Sequence, residues 1–267
     1  MSLYEKESPI LFDKALSSIV GQELPPTEVV IVLDGPVGNE LLGIIKKYRC
    51  MLPIKVVPIE HNVGLANALN VGLTNCDNEI IVRFDTDDLC FSSRFSQQVK
   101  YMVEHNDVDI CGGQAQLIDI NDNVIGTLSV PKEHPDIVRL IWSCPLIHPS
   151  VAFKKSKIQL INGYSPDAGL RQDDYELWIR AAEAGLRFHN IQEHLVKYRI
   201  KDDNAAMQVT PSIAFKRAKL GFRAWKKFDR STLHFFGLWF PLVRSLLPKR
   251  IALWLDIKVR KAFGVRN

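Results

Sequence analysis

The stretch "IIVRFDTDDLCF", residues 80–91, joins an apolar, strand-like run to a cluster of acids. Three carboxylates end the run: Asp85, Asp87 and Asp88. Like charges this close repel one another, and a low-dielectric neighbourhood strengthens the repulsion. A divalent cation is the simplest way to keep all three ionised, and oxygen ligands suit Mg²⁺ or Mn²⁺. The stretch therefore predicts a buried strand that ends in a metal site, and the alternative is an acidic turn that caps the helix beginning near Ser93.

Strand-like and helix-like runs alternate on both sides of this stretch. Strand patterns occupy residues 28–33, 54–59 and 79–84, and apolar residues at helical spacing occupy 39–48, 64–73 and 93–105. Farther on, strands are predicted at 149–153 and 193–200 and helices at 173–185 and 212–228. Such alternation predicts parallel strands covered by helices, in which ligands bind at the carboxyl ends of the strands.

The composition is that of an ordinary globular protein. Of 267 residues, 46% are hydrophobic and 24% are charged, which argues against a disordered chain. The five cysteines are scattered without a CxxC pair, which favours reduced thiols. The first ten residues lack the pattern of a secretory signal peptide, and no apolar run reaches the roughly 20 residues of a membrane span.

The net charge of +4 conceals an asymmetry between body and tail. Residues 212–267 carry a net charge of +12, whereas residues 1–211 carry −8. A basic tail predicts an anionic partner, either a membrane or a nucleic acid. Trp225, Trp239 and Trp254 are interleaved with the basic residues, and this pattern favours a membrane interface.

Four further motifs accompany the acidic stretch: "VLDGP" (32–36), "HNVGLANALN" (61–70), "HPSVAF" (148–153) and "RQDDYELWIRAAEAG" (171–185). Each has an ordinary structural explanation. Asp34 can begin a turn, Asn62 can cap a helix, and Asp173 and Asp174 favour a helix N-terminus. Similarly, His148 can be a buried structural histidine. The joint occurrence of the motifs in this order is what points to a function.

The succession "SLYEKE", "VLDGP", "NVGLANALN", "RFDTDD", "HPSVAF" and "DDYELWIR" resembles the inverting family 2 glycosyltransferases of the GT-A fold, in particular enzymes of bacterial exopolysaccharide, capsule and O-antigen assembly. The resemblance covers about residues 2–200. It implies an α/β GT-A fold with a mainly parallel sheet flanked by helices. We expect a catalytic domain over 1–211, divided near residue 112 into nucleotide-sugar and acceptor halves, and a basic amphipathic helical region over 212–267.

The resemblance also implies roles for particular residues. The donor nucleotide would contact Ser2, Tyr4, Asp34, Asn62, Gly64 and Asp85, and Mn²⁺ or Mg²⁺ would be held by Asp85, Asp87 and Asp88. Asp174 would be the catalytic base, because it matches the second acid of the family's Glu-Asp pair. Asp173 replaces the Glu with a shorter side chain, and it would lie on the acceptor side together with His148.

The function implied is transfer, with inversion, of a sugar from a nucleotide-diphosphate donor, expected to be a UDP-sugar, to a polyprenyl-linked saccharide. The enzyme would act in the cytoplasm, peripherally bound to the anionic inner face of the bacterial plasma membrane, without a nucleic acid partner. Two alternatives are a DxD phosphatase and a non-enzymatic membrane- or nucleic-acid-binding protein. The phosphatase motif requires Thr or Val where this chain has Leu89.

Two departures from the family pattern are visible. Family members begin with an apolar strand just before the "SLYEKE" position, so we expect the reading frame upstream of Met1 to encode such a segment. Relatives often carry a His or an extra Arg soon after the "YR" found here at 198–199, whereas "IKDDNAAM" follows in this chain. The sequence therefore does not identify a third metal ligand at that place.

Overall fold

The computed structural model describes residues 1–169, 172–200 and 210–247. The segment 201–207, where the family often has a further ligand, lies outside the described residues. The same holds for Arg171 and for the tail from residue 248 onward, which includes Trp254.

A parallel sheet forms the first half of the chain. Its strand order is β1-β2-β3, with β2 and β3 in register from Val29 opposite Ile54 to Asp34 opposite Ile59. Branched apolar residues fill β2, which is buried along its whole length. The elements are β1 (Ser2–Leu3), α1 (Pro9–Val20), β2 (Val29–Asp34), α2 (Asn39–Tyr48), β3 (Ile54–Ile59) and α3 (Leu65–Asn75).

A second, six-stranded sheet follows, with the order β4-β8-β6-β9-β5 and β7 paired to β6. Its strands are β4 (Ile80–Val82), β5 (Leu89–Cys90), β6 (Ile110–Ile118), β7 (Val124–Leu128), β8 (Ala152–Lys154) and β9 (Phe188–Arg199). Only the β6–β9 ladder is parallel among its pairs, so the predicted parallel arrangement describes the first sheet better than the second. The predicted α/β class, with helices flanking the sheets and a helical C-terminal region, is confirmed.

The remaining helices are α4 (Arg94–Glu104), α5 (His134–Arg139), α6 (Lys155–Leu160), α7 (Asp173–Glu183), α8 (Pro211–Phe228) and α9 (Thr232–Ser245). Two large apolar cores result. One joins the first sheet to α1 and α2 around Phe12 and Ile31, and the other packs α7 against the second sheet around Trp178 and Phe188. Trp178 is fully buried, so it is a core residue rather than a platform for a sugar.

A cavity of about 580 Å³ separates β2 of the first sheet from β4 of the second. Val30, Val82 and Phe95 are among the side chains that line it, and Met1 lies at its wall. The Met1 amino group donates to the carbonyl of Val30 at 2.9 Å, and burial lowers the pKa of that amino group to about 6.

The helix pair α8–α9 packs on α7 of the preceding part of the chain. Gly221 of α8 lies against Tyr175 of α7, and the Arg217 guanidinium lies 4.5 Å from the centre of the Tyr175 ring. Arg223 of α8 donates to Glu183 of α7 at 3.0 Å. Among the described residues, neither these helices nor any other combines the length and apolar character needed to cross a bilayer.

Gly221→Ala should destabilise the protein because no space is left for a methyl group. A Cβ at this position would overlap Tyr175 Oη and Leu238 Cδ1 and would lie 2.9 Å from the carbonyl oxygen of Trp142. Overpacking of this kind costs about 1–3 kcal/mol, which for a chain of this size lowers the melting temperature by about 2–12 °C.

Gly43→Ala is the matched control, because Gly43 lies inside α2 with no atom within 4 Å of an added Cβ. There the gain in helix propensity should stabilise the protein by about 0.5–1 kcal/mol. Calorimetry of both variants checks the expectation, and equal melting temperatures would show that α8 does not pack tightly on α7.

Candidate active site

The three carboxylates of the acidic stretch converge between β4 and β5. One oxygen from each of Asp85, Asp87 and Asp88 lies within 4.8 Å of the others. Asp88 is 1% exposed, and its Oδ2 has no hydrogen-bond partner among the described residues. Burial, with Asp85 and Asp87 adding to it, raises the pKa of Asp88 well above its ordinary value. Three clustered carboxylates, one of which has a buried oxygen without a hydrogen-bond partner, offer the oxygen ligands that suit Mg²⁺ or Mn²⁺.

The acidic loop is held in place by Arg199, the last residue of β9. The backbone N–H of Arg199 donates to Asp88 Oδ1 at 2.7 Å, and its Nε donates to the carbonyl of Asp87 at 2.7 Å. The same guanidinium pairs with Asp122 at 2.6 Å, and Asp122 also pairs with Lys14. This buried arginine therefore ties the carboxylates to the turn between β6 and β7.

Arg83 holds the loop from the other side. It directly follows β4 and is 6% exposed, and its Nη1 donates to Asp85 Oδ2. Its backbone is fixed by a hydrogen bond to the Val151 carbonyl at 3.0 Å and by Arg94, whose Nη2 donates to the Arg83 carbonyl at 2.8 Å. The Nε of Arg83 is buried and has no acceptor among the described residues.

The turn after β2 meets the loop before α3. Asp34 Oδ1 accepts from the backbone N–H of Val63 at 2.7 Å, and Asn62 Nδ2 donates to the Asp34 carbonyl at 3.1 Å. Gly35 has φ +84°, and a Cβ there would lie 2.8 Å from the Asn62 nitrogen, so only glycine permits the close approach. Gly64, also with positive φ, is the residue before α3.

Ser2 and Tyr4 lie beside this turn because β1 pairs with the end of β2. Ser2 is opposite Val32 in the parallel ladder, and Tyr4 directly follows the strand with 38% of its surface exposed. Asp34, Asn62 and Val63 thus form one hydrogen-bonded unit, and the exposed Tyr4 follows the neighbouring strand. The carboxyl ends of parallel strands are where ligands bind in α/β sheets.

Asp174 lies in the first turn of α7, half-buried. Its Oδ1 accepts from the backbone N–H of Tyr175 at 2.8 Å, and the Cys144 thiol donates to Oδ2 at 3.9 Å. Burial raises the pKa of Asp174, and the positive charges of Arg217 and Arg83 act against that rise. A carboxylate with a raised pKa is a better proton acceptor than an ordinary one, as a general base requires. Burial and Asp174 likewise raise the pKa of the neighbouring Asp173.

His148 lies in a short 3₁₀ turn before β8 and packs behind the site. Its Nε2 is 2.9 Å from Tyr164 Oη, and its ring meets Trp178 edge-on with centroids 6.0 Å apart. Burial, together with the charge of Arg83, lowers its pKa well below the ordinary value. His148 is therefore a neutral residue that positions Tyr164.

Tyr164 is a buried phenol on which charges of the acidic loop and of α7 both act. Burial raises its pKa, the negative charges of Asp174, Asp85 and Asp173 raise it further, and the charge of Arg83 opposes them. The backbone of Tyr164 is fixed by Asn70 of α3, whose side chain both donates to the Tyr164 carbonyl and accepts from its N–H at 2.8 Å. Tyr164 is thus held by Asn70 and feels the charges of both Asp85 and Asp174, whereas Asp34 and Asn62 form their own set of contacts.

Several residues of the site were not predicted from the sequence, namely Asn70, Arg83, Tyr164, Arg199 and Arg217. Arg83 carried a signal that could have been used, because a charge inside an apolar strand needs a buried partner. Asn70 ends the "NVGLANALN" motif, where its helical position gave no indication that it contacts Tyr164 94 residues away. Tyr164 and Arg217 carried no local signal.

Sequence comparisons show which known proteins this chain is similar to. The sequence model described as "Glycosyl transferase family 2" matches residues 6–154. The chain is 32% identical over 271 aligned residues to the amylovoran biosynthesis glycosyltransferase AmsE of Erwinia amylovora, covering 98% of both chains. It is 34% identical over 206 residues to an Escherichia coli UDP-Gal:alpha-D-GlcNAc-diphosphoundecaprenol beta-1,3-galactosyltransferase, covering 77% of this chain and 74% of the relative.

A solved structure shows the same fold. The mannosyltransferase PcManGT of Pyrobaculum calidifontis, in complex with GDP-Man and Mn²⁺, superposes with a TM-score of 0.57 at 18% identity. The superposition covers 100% of this chain and 74% of that chain. The predicted GT-A fold is confirmed.

Asp87→Ala should remove most of the Mn²⁺ affinity, because it deletes one of three clustered carboxylates. Changes outside the ligand shell alone cost about 10–100-fold in metal affinity, so loss of a ligand should cost at least about tenfold. Electron paramagnetic resonance of free Mn²⁺ measures the binding. Asp77→Ala is the control, because Asp77 is an exposed acid that pairs with Lys55 at 3.5 Å, and equal Mn²⁺ affinity in the two variants would contradict a metal site at Asp87.

Proposed function

This chain belongs to glycosyl transferase family 2, and on that premise we propose that it transfers a sugar, with inversion, from a UDP-sugar to a polyprenyl-linked saccharide during assembly of a bacterial surface polysaccharide. The observation that carries the proposal is the clustering of Asp85, Asp87 and Asp88 within 4.8 Å, together with the buried phenol of Tyr164, on which the charges of Asp85 and Asp174 both act. The UDP-galactose donor and diphosphoundecaprenol acceptor named for the E. coli relative support the choice of substrates.

The donor half would bind the nucleotide at the end of the first sheet. Tyr4 offers an exposed ring for the base, and Asp34, held by Val63 and Asn62, offers a fixed carboxylate beside it. Ser2 and Gly64 border the same turn. Asp85, Asp87 and Asp88 would hold Mn²⁺ or Mg²⁺, which when bound supplies Lewis-acid stabilisation of the diphosphate leaving group.

The acceptor half would supply the base. The acceptor hydroxyl gives its proton to Asp174 while its oxygen attacks the anomeric carbon. The bond from that carbon to the phosphate oxygen breaks at the same time, and its electron pair leaves with the diphosphate. Attack from the face opposite the leaving group inverts the anomeric centre, and no covalent intermediate with the protein is needed. Asp173 and His148 lie on the acceptor side, where His148 fixes Tyr164.

The two alternatives predicted from the sequence lose their basis. Membership of glycosyl transferase family 2 argues against the DxD phosphatase, whose motif requires Thr or Val where this chain has Leu89. A non-enzymatic binding protein would not require a half-buried carboxylate with a raised pKa at a helix N-terminus. We therefore retain the basic C-terminal region only as a membrane-binding part of an enzyme.

A membrane-facing surface on α8 and α9 supports a peripheral position at the inner face of the plasma membrane. Large apolar side chains are exposed on these helices: Phe215, Phe222, Leu233, Phe236, Val243 and Leu246. Basic residues of α8 flank them, including Lys226 and Lys227. Exposed aromatic residues beside basic residues suit an anionic lipid surface, where the lipid-linked acceptor would be found.

Asp174→Asn should leave nucleotide binding intact and slow sugar transfer by about 10²–10⁴-fold, because an amide cannot accept the hydroxyl proton. Transfer is measured as release of UDP from UDP-sugar in the presence of a lipid-linked acceptor, and binding is measured by calorimetry with UDP and Mn²⁺. Burial raises the pKa of Asp174, so this carboxylate becomes protonated at a higher pH than an ordinary one. As the pH is lowered, native activity should therefore be lost at a higher pH than an ordinary carboxylate base would give.

Asp173→Asn is the matched control, since Asp173 is the adjacent acid on the same helix turn. We expect a smaller loss of transfer in that variant. If Asp174→Asn turned over like the native enzyme while Asp173→Asn were inactive, Asp173 rather than Asp174 would be the base.

Replacing Leu233 and Phe236 together by Ser should weaken binding to vesicles that contain an anionic phospholipid. Phe236 is 72% exposed, so these changes remove apolar surface without disturbing the core. Full burial of one large apolar side chain contributes about 1.5–3 kcal/mol, so the pair should cost at least about tenfold in vesicle affinity. Sedimentation with vesicles measures it at physiological salt.

Leu160→Ser is the control, because Leu160 is 73% exposed on α6, away from α8 and α9. Its vesicle affinity should equal that of the native protein. Native-like vesicle binding by the Leu233/Phe236 double variant, or no binding by the native chain, would rule out a membrane role for this surface.

A further inference from the structure

We propose that Arg83 is a second cation of the donor site that changes partners during binding: it neutralises Asp85 while the site is free of ligands, and it turns to the diphosphate of the donor when a metal ion takes Asp85. The inference rests on the proposed function and extends it to a residue that the mechanism above does not use. Arg83 would then contact the substrate rather than only support the loop.

The first argument is the present partner of Arg83. Its guanidinium is buried and pairs with Asp85 Oδ2, one of the carboxylates that would hold the metal. An arginine keeps its charge at any pH that a protein tolerates, so this charge always needs a nearby anion. A divalent cation that binds Asp85 competes with Arg83 for the same carboxylate, and it places a second positive charge beside it.

The second argument is the unused hydrogen-bonding capacity of the side chain. Nη1 is occupied by Asp85, but Nε is buried and without an acceptor among the described residues. A guanidinium presents its donors as a planar fork that matches the oxygens of a phosphate. A buried donor beside a metal-type cluster is therefore already placed for a phosphate oxygen of a metal-bound diphosphate.

The third argument is the fixed backbone. Hydrogen bonds to Val151 and from Arg94 hold the main chain of Arg83 on both sides, so only its side chain is free to change partners. Among the described residues, the other charged or titratable groups that interact with Arg83 include Asp88, Asp174, Tyr164, Tyr198, His148, Arg94 and the Met1 amino group. Of the two carboxylates in this set, Asp88 belongs to the metal cluster and Asp174 is the proposed base, which leaves the donor diphosphate as the anion for Arg83.

The exchange predicts that metal and nucleotide diphosphate assist each other. The metal alone binds against the charge of Arg83, and the diphosphate removes that cost by accepting the guanidinium. Because coupling between two ligands is reciprocal, Mn²⁺ should tighten UDP binding by the same factor by which UDP tightens Mn²⁺ binding.

Arg83→Met tests this with two affinities that should move in opposite directions. Mn²⁺ alone, measured by electron paramagnetic resonance, should bind several-fold more tightly because Asp85 is released. UDP in the presence of saturating Mn²⁺, measured by calorimetry, should bind at least about tenfold more weakly because a charge-assisted contact is lost. If Arg83 had only a structural role, its replacement would weaken the binding of both Mn²⁺ and UDP.

Arg83→Lys and Arg187→Met complete the experiment. Lysine keeps the charge without the planar fork, so Mn²⁺ alone should bind as in the native protein while UDP binding falls, and this variant carries the test if Arg83→Met does not fold. Arg187 directly precedes β9 and pairs with Asp107 at 3.0 Å, so Arg187→Met should leave the affinity for Mn²⁺ alone unchanged.

The outcomes separate the inference from the proposed function. If the native protein bound neither UDP nor GDP with Mn²⁺, the proposed function would fail, and the inference with it. If the native protein showed coupled binding of metal and UDP and Arg83→Met retained that coupling, or lost both affinities by the same factor, the proposed function would stand and the role of Arg83 would be overturned.

Discussion

Electrostatic repulsion among three carboxylates at the end of β4 is the constraint around which the site is arranged. Placing Asp85, Asp87 and Asp88 within 4.8 Å of one another would be unfavourable without nearby positive charge. The fold supplies that charge from the buried Arg83, directly after β4, and Arg199 of β9 adds a backbone N–H that donates to Asp88. The acidic loop is therefore held from both β4 and β9, and Asp88 Oδ2 has no hydrogen-bond partner among the described residues.

The sequence predicted local structure well where hydrophobic periodicity was clear. The helix over 39–48 and the strand over 54–59 have the bounds that the pattern indicated, and the acidic cluster forms where the strand ends. Pairing direction was harder to predict, because strands of the second sheet meet across long sequence separations that no local pattern records. The predicted β4 is shorter than expected, since its last residues turn away into the acidic loop.

The difference between local patterns and long-range contacts also decides which residues of the site could be predicted. Carboxylates could be predicted because their chemistry is visible in the residue type and their spacing, whereas the groups that orient them come from distant positions. Tyr164 is held by Asn70 of α3, and Asp174 is contacted by Cys144, whose left-handed backbone conformation has no sequence signature. Such contacts are decided by tertiary packing, so single-sequence reasoning identifies what reacts more readily than what positions it.

The tight packing of α8 on α7 has a geometric consequence. Gly221 lets α8 approach α7 so closely that a methyl group at this position would overlap Tyr175, the residue after Asp174. The helix that exposes Phe215 and Phe222 is therefore packed directly on the helix that carries Asp174. If a membrane binds this exposed face, as proposed, the packing of the two helices sets the distance between the membrane and Asp174, and only an acceptor hydroxyl that extends that far from the membrane would reach the carboxylate.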